Sequence, residues 1–353
     1  MERREFLRQT ATKGLGILSL PMFRISEASP GKKLGVVVHS YASRWQSKAN
    51  SKQYPPFNDA IDLLKHCHSI GASGIQVMVR DWSQDFAKKV RDTRERLGIY
   101  LEGSIAVPLT SSEVSGFERE VINAKEAGAT ILRTVTSTGR RYEVYHTEAE
   151  VRAFKAKAVE SLTLAEPVLR RHKVKLAVEN HKDWRADELA TVIKKFQSEW
   201  IGVTLNFGNS ISLIEDPMQV IETLAPYAFS THVKDMGLEE YDDGFLLSEV
   251  PLGNGILDIP KIMAVCEKHN PNINFCLEMI TRDPLEIPCL KQAFWNVFDS
   301  VPGSELASTL RLVKANPYNG SLPRVSHLSQ EERLVIEENN ILACLSYVNK
   351  IKD

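Results

Sequence analysis

The sequence predicts one (β/α)8 barrel with a C-terminal helical extension, and three observations carry that prediction. From Leu34 onward, short β-type runs alternate with helical stretches. Eight such steps pass without an internal repeat or a low-complexity linker. Four polar strings, Glu179-Asn180-His181, Asn206, His232-Val233-Lys234-Asp235 and Glu278, each end an apolar run. Polar groups leaving consecutive strands at one height meet at a barrel's C-terminal mouth, where barrel enzymes keep their chemistry.

Taken in order, residues 34–39 read as the first strand, and residues 58–70 have helical apolar spacing until Gly71-Ala72-Ser73-Gly74 breaks it. Residues 75–79 form the second strand. A helix over 85–97 stops at Gly98, a residue suited to a left-handed cap. Strand three covers 99–107, a helix 116–127 stops at Gly128, and strand four covers 130–135. A long helix over 148–172 leads to strand five at 174–179. Strands six, seven and eight end at Asn206, Lys234 and Glu278. A doubly wound dinucleotide fold would want Gly-x-Gly-x-x-Gly after the first strand, and none is there. Residues 31–290 are therefore assigned to the barrel and 291–353 to a helical extension, clearest over 331–351. This extension is expected to pack on the barrel or on a neighbouring subunit of a homo-oligomer.

Bulk properties narrow the partners. The 353 residues are 43% hydrophobic and 25% charged, with 44 basic against 45 acidic residues and a formal charge of −1. That balance gives no electrostatic footprint for nucleic acid and no polybasic membrane patch, so the expected partner is a small molecule. No apolar run is long enough to span a bilayer. Met1-Glu2-Arg3-Arg4-Glu5-Phe6-Leu7-Arg8, followed by a weakly apolar stretch over 14–23, resembles a twin-arginine export signal. Residues 1–30 are accordingly read as a leader and the mature protein as periplasmic. Five scattered cysteines without CxxC pairing give neither a disulfide framework nor a zinc-finger pattern.

Residues two apart share a face of a strand, so Glu179 and His181 point one way, as do His232 and Lys234. Two polar pairs aimed into one mouth are hard to explain as packing. Glu179, Asn206 and His232 recur at about one βα unit, with a longer interval before Glu278 that leaves room for a loop over 236–258 able to close over substrate. Lys234 either touches substrate or pairs with Asp235. By the same alternation Glu102 and Arg133 are pocket candidates, joined by His39 after strand one. Arg282 and the 139–142 loop either bind sugar hydroxyls or carboxylates or make surface ion pairs.

The strings Ala-Val-Glu-Asn-His, Asn-Phe-Gly-Asn, His-Val-Lys-Asp, Pro-Leu-Gly-Asn-Gly-Ile-Leu-Asp and Leu-Glu-Met, in this order over roughly residues 34–290, resemble the sugar isomerase/epimerase superfamily with the xylose-isomerase-like barrel. The resemblance implies one divalent ion (Mn, Mg, Co, Zn or Ca) held by Glu179, Asn206, His232 and Glu278. Asn206 departs from the family, which usually has Asp there; an amide oxygen still binds a hard dication, less tightly. The resemblance further implies that Glu179 and Glu278 move the proton through an enediolate, with His181 orienting substrate or assisting proton transfer to oxygen; Lys234 is counted with them as a catalytic candidate. With export and no phosphate-cradling loop, a non-phosphorylated sugar or cyclitol is the expected substrate. A lyase or hydratase on 3-keto-glycosides and a noncatalytic sugar-binding barrel are the alternatives. A DNA-repair endonuclease would need more metal ligands and a basic groove.

Overall fold

Eight parallel strands close on themselves in the computed structural model, which describes residues 34–49, 51–137 and 139–351. The leader expected over residues 1–30 lies outside the described residues. The chain makes β1 (Leu34–Val37), β2 (Gly74–Met78), β3 (Tyr100–Ser104), β4 (Ile131–Thr134), β5 (Lys175–Glu179), β6 (Ile201–Asn206), β7 (Ala228–Val233), β8 (Asp235–Tyr241), β9 (Gly244–Val250), β10 (Asn274–Leu277) and β11 (Leu285–Ile287). Strands β1 to β7 run in sequence order around the barrel, and β10 closes it between β7 and β1. The expected (β/α)8 architecture is the one observed.

Local chemistry explains the boundaries. The Asp59 carboxylate accepts the Ile61 and Asp62 N–H groups and starts the helix Ala60–Ser69. Gly98, at φ 68°, ends Gln84–Leu97 in the left-handed conformation. Thr147 and Glu150 form a reciprocal capping box that opens the 25-residue helix Glu148–His172. The apolar faces of these helices seal the strands: Leu63, Leu64, Val90, Leu162 and Leu169 are buried, each contributing roughly 1.5–3 kcal/mol of transfer free energy. All five cysteines are buried free thiols.

Two expectations are corrected. Strand one stops at Val37, and Val38–Tyr41 turns into a 3-10 segment, so His39 leaves the strand end from a turn. The segment after β7 is a hairpin rather than a loop: β8 and β9 pair antiparallel, and β11 adds a third strand. Asp235 explains the hairpin's position. Its carboxylate accepts the N–H groups of Met236, Gly253, Gly255 and Leu257 at 2.9–3.0 Å, pinning the Gly-Asn-Gly turn to the end of β7. At Gly255 a β-carbon would run into that carboxylate.

In the C-terminal region, the helix Gln330–Val348 lies against the turn after β1. Glu337 accepts the Ser43 N–H at 2.7 Å, and Glu338 pairs with Arg44 at 3.0 Å and faces His66 at 3.1 Å. His66 therefore joins a largely buried polar cluster.

Candidate metal centre at the barrel mouth

Register brings the strand ends together. Asn206 on β6 stands beside His232 on β7, and His232 stands beside Cys276 on β10, two residues before Glu278. Glu179 ends β5. Glu179, His232 and Glu278, all buried, present ligand atoms within 4.8 Å of one another. His232 Nδ1 lies 3.5 Å from Glu179 Oε1 and 3.4 Å from Glu278 Oε1, and it is buried without a hydrogen-bond partner. An orphaned imidazole nitrogen aimed at two carboxylate oxygens is a donor set that fits a divalent cation.

The ring's orientation is set from behind. His232 Nε2 meets Gln76 Oε1 at 2.7 Å, and Gln76 Nε2 donates to Glu102 at 3.0 Å. Ser230 and Asn274 also donate to Glu102. The amide oxygen, oriented by Glu102, takes the Nε2–H and turns Nδ1 toward the two carboxylates, the orientation ligating histidines require; a cation bound there would replace the proton those carboxylates favour on Nδ1. Glu102 was expected to bind substrate; its oxygens are instead taken up by these three donors, so it acts on His232 from inside the barrel. Gln76 was missed. Its signal was a lone amide in the apolar run Gly-Ile-Gln-Val-Met.

Asn206 also differs from expectation. Its amide nitrogen donates to Glu179 Oε1 and Glu278 Oε2, both at 2.9 Å, while its oxygen accepts the Gly208 and Asn209 N–H groups. It bridges the two carboxylates as a donor and presents no oxygen to the cluster, so the geometry gives three ligands rather than four. A carboxylate here would have no hydrogen for either neighbour.

Cations hold the outer oxygens. Arg133 donates from Nε to Glu179 Oε2 at 2.7 Å, and a second guanidinium nitrogen meets the same oxygen. Lys234 Nζ is 2.5 Å from Glu278 Oε2 and 3.5 Å from Glu249 Oε1. The Lys234–Asp235 pair, one of the two alternatives for Lys234, does not form, because Asp235 serves the turn. Glu249, from β9, is held by Arg282 Nε at 3.0 Å and Nη2 at 2.5 Å. His39 Nδ1 stands 3.7 Å from Glu278 Oε1 and is 38% exposed, a rim position. Arg141 in the 139–142 loop is buried against Val297 O and Glu188 and serves packing.

These pairings set the charges. Burial opposes ionisation of Glu179, but Arg133 and His232 outweigh it and hold the carboxyl well below its usual range. Lys234 and His232 do the same for the buried Glu278. For Glu249, burial is overcome by Arg282 and Lys234, which bring it to about 2. Burial works against a charged His232, yet Glu179 and Glu278 raise it to about 9. Burial lowers His181 to about 3, so its imidazole is neutral, and its Nδ1 has no hydrogen-bond partner. Burial, then Lys234 and Arg282, bring Lys182 down to about 7. Lys182 and Glu249 were both missed. Alternation ends with the strand, so it could not place Lys182, and Glu249 lay in a segment read as loop although Gly-Phe-Leu-Leu-Ser-Glu-Val is strand-like.

Fold and cluster together define a (β/α)8 barrel with a metal-capable Glu/His/Glu centre at its C-terminal mouth. The chain belongs to the xylose isomerase-like TIM barrel family, whose model matches residues 64–294. It is 23% identical over 251 residues, 69% of this chain and 85% of the other, to 3-oxo-isoapionate decarboxylase of Pectobacterium atrosepticum. Among solved structures, a xylose isomerase-like TIM barrel protein from Mycobacterium smegmatis in complex with magnesium has a TM-score of 0.52 at 17% identity, over 79% of this chain and 98% of that one. An L-ribulose 3-epimerase has a TM-score of 0.50 at 11% identity, over 88% of this chain and 97% of that one. The two structural likenesses concern the fold.

Proposed function

We propose that this protein is a divalent-metal-dependent isomerase or epimerase that moves a proton at the carbon next to a carbonyl in a non-phosphorylated sugar or cyclitol. One observation carries the reading: Glu179 and Glu278 flank an orphaned His232 Nδ1 at 3.5 and 3.4 Å. Glu179, His232 and Glu278 would hold the cation. Bound there, a divalent ion supplies Lewis acidity that lowers the cost of negative charge on the substrate oxygen. The protein's own groups do the rest. One carboxylate, ionised, takes the proton from carbon; the same group, now protonated, can return it on that face, and return on the opposite face requires the other carboxyl to start the cycle protonated, while Arg133 and Lys234 fix both groups in place. The neutral His181 ring is free to accept from or donate to a substrate hydroxyl. Asn206 holds the carboxylates at their spacing.

The curated relative bears an enzyme's name, 3-oxo-isoapionate decarboxylase, and this supports an enzyme rather than a sugar-binding barrel. A lyase or hydratase on 3-keto-glycosides uses the same first proton loss and stands second. The test follows deuterium from D₂O into a panel of free sugars, cyclitols and 3-keto-glycosides with metal or chelator. Metal-dependent incorporation that E179Q and E278Q each reduce by about 10²–10⁴ is expected, and the product distinguishes isomer from cleaved aglycone. Incorporation unchanged in E179Q sinks the reading.

Export by the twin-arginine route is proposed from Arg3-Arg4, the Phe6-Leu7 that follows and the weakly apolar stretch over 14–23. Cell fractionation should find the protein in the periplasm and the Arg3→Lys, Arg4→Lys variant in the cytoplasm; equal distribution of the two refutes export.

A further inference from the structure

The mouth holds more positive charge than its carboxylates can pair. Arg133, Lys182, Lys234 and Arg282 face Glu179, Glu249 and Glu278, and the last three are taken by Arg133, Lys234 and Arg282. Lys182 is left over. Only 3% exposed, it makes no ion pair among the described residues, and its single hydrogen-bond acceptor is Asn209 Oδ1 at 2.6 Å, which it shares with Lys234 at 3.2 Å. An ammonium has three donors, and burying one against a single neutral oxygen is costly; burial and the neighbouring Lys234 and Arg282 already loosen its proton, and an anion is what would complete it as a cation. Glu102 and Asp183 do not: the first is taken by Gln76, Ser230 and Asn274, the second by the Trp184 N–H and Thr136.

One further atom at the mouth awaits a polar partner: His181 Nδ1 is buried without a hydrogen-bond partner. A divalent cation in the Glu/His/Glu centre would increase the positive excess rather than relieve it.

We propose that Lys182, flanked by Lys234 and Arg282, forms an anion-accepting subsite that takes the carboxylate of an acidic sugar substrate. The proposal rests on the reading of the same mouth as the reaction site and narrows its substrate class to sugar acids. A carboxylate fits better than a phosphate because the nearby backbone donors, the Gly208 and Asn209 N–H groups, are already spent on Asn206, leaving no backbone cradle. Charged side chains that must be left unpaired by a neutral ligand also reject it, which gives selectivity.

The test is calorimetric titration of the full-length protein at fixed ionic strength, with and without Mn²⁺. The probes are D-gluconate, D-glucuronate, D-glucose, D-glucose 6-phosphate and inorganic phosphate. The carboxylates should bind at least about tenfold more tightly than glucose, and K182M should lose that difference while melting no lower than wild type without ligand. R282K is the second variant and should weaken the preference without abolishing it. Equal affinity for glucose and the acids, or a preference intact in K182M, overturns the subsite; a phosphate preference overturns the carboxylate assignment. Deuterium exchange is read separately on the same probes. Exchange into neutral sugars without carboxylate preference leaves the reaction standing and the subsite refuted, and carboxylate preference without exchange does the reverse.

Discussion

At Asn206 one atom decides what the centre can do. The amide nitrogen gives a hydrogen to each of two carboxylates that would otherwise repel. Replacing it with Asp puts a third negative charge against them and removes both donors. N206D should therefore lower the melting temperature of chelated protein, at a cost of roughly 1–3 kcal/mol, and bind Mn²⁺ more tightly once the cation offsets the charge. Calorimetry on both forms checks this; unchanged affinity would show that position 206 does not face the ion. Gln76 makes the complementary case. Q76L removes one of the three donors to Glu102, leaves His232 Nε2 without its partner and frees the imidazole to turn, so divalent affinity should fall roughly 10–100-fold with Glu179 and Glu278 untouched.

Elements carry these residues into place, and two of them were not obvious as site builders. The β8–β9 hairpin brings Glu249 to Lys234 and Arg282, and Asp235 locks the hairpin's return to the barrel. The helix Gln330–Val348 presses Glu337 onto Ser43, four residues past His39. Burial raises Glu337 to about 7. A carboxyl whose folded value lies above its unfolded value binds more protons when folded. Its effect on stability is therefore most favourable below about 4.5, declines as pH rises to about 7, and is constant above that. E337Q keeps the acceptor for Ser43 without the charge. It should melt close to wild type near pH 5 and roughly 2–4 °C higher near pH 8. Parallel curves at both pH values would show that Glu337 is not protonated in the folded state.

Across the whole molecule, the three carboxylates of the site are paired without a metal ion, since Arg133, Lys234 and Arg282 answer Glu179, Glu278 and Glu249. The barrel is closed by strand pairing rather than by the centre. Chelation should accordingly leave far-ultraviolet circular dichroism unchanged, and Mn²⁺ at 100 times its dissociation constant should add about 2.7 kcal/mol of stability, read as a rise of several degrees in melting temperature. Loss of secondary structure on chelation would instead make the ion part of the fold.

Much of this was legible in the residues. The alternation of apolar runs with helical spacing required a barrel, because strands buried on both faces and amphipathic helices have few other ways to cover one another. Period two on the strands aimed Glu179, His181, His232 and Lys234 inward, and their strand-end positions put them at the mouth. The sequence could not say which end of the Asn206 amide faces the carboxylates, since that depends on the backbone donors of Gly208 and Asn209. Nor could it bring Glu249 from the hairpin, reach His232 through Gln76, or leave Lys182 without an ion pair. Those depend on distances between elements far apart in the chain, which only tertiary packing sets.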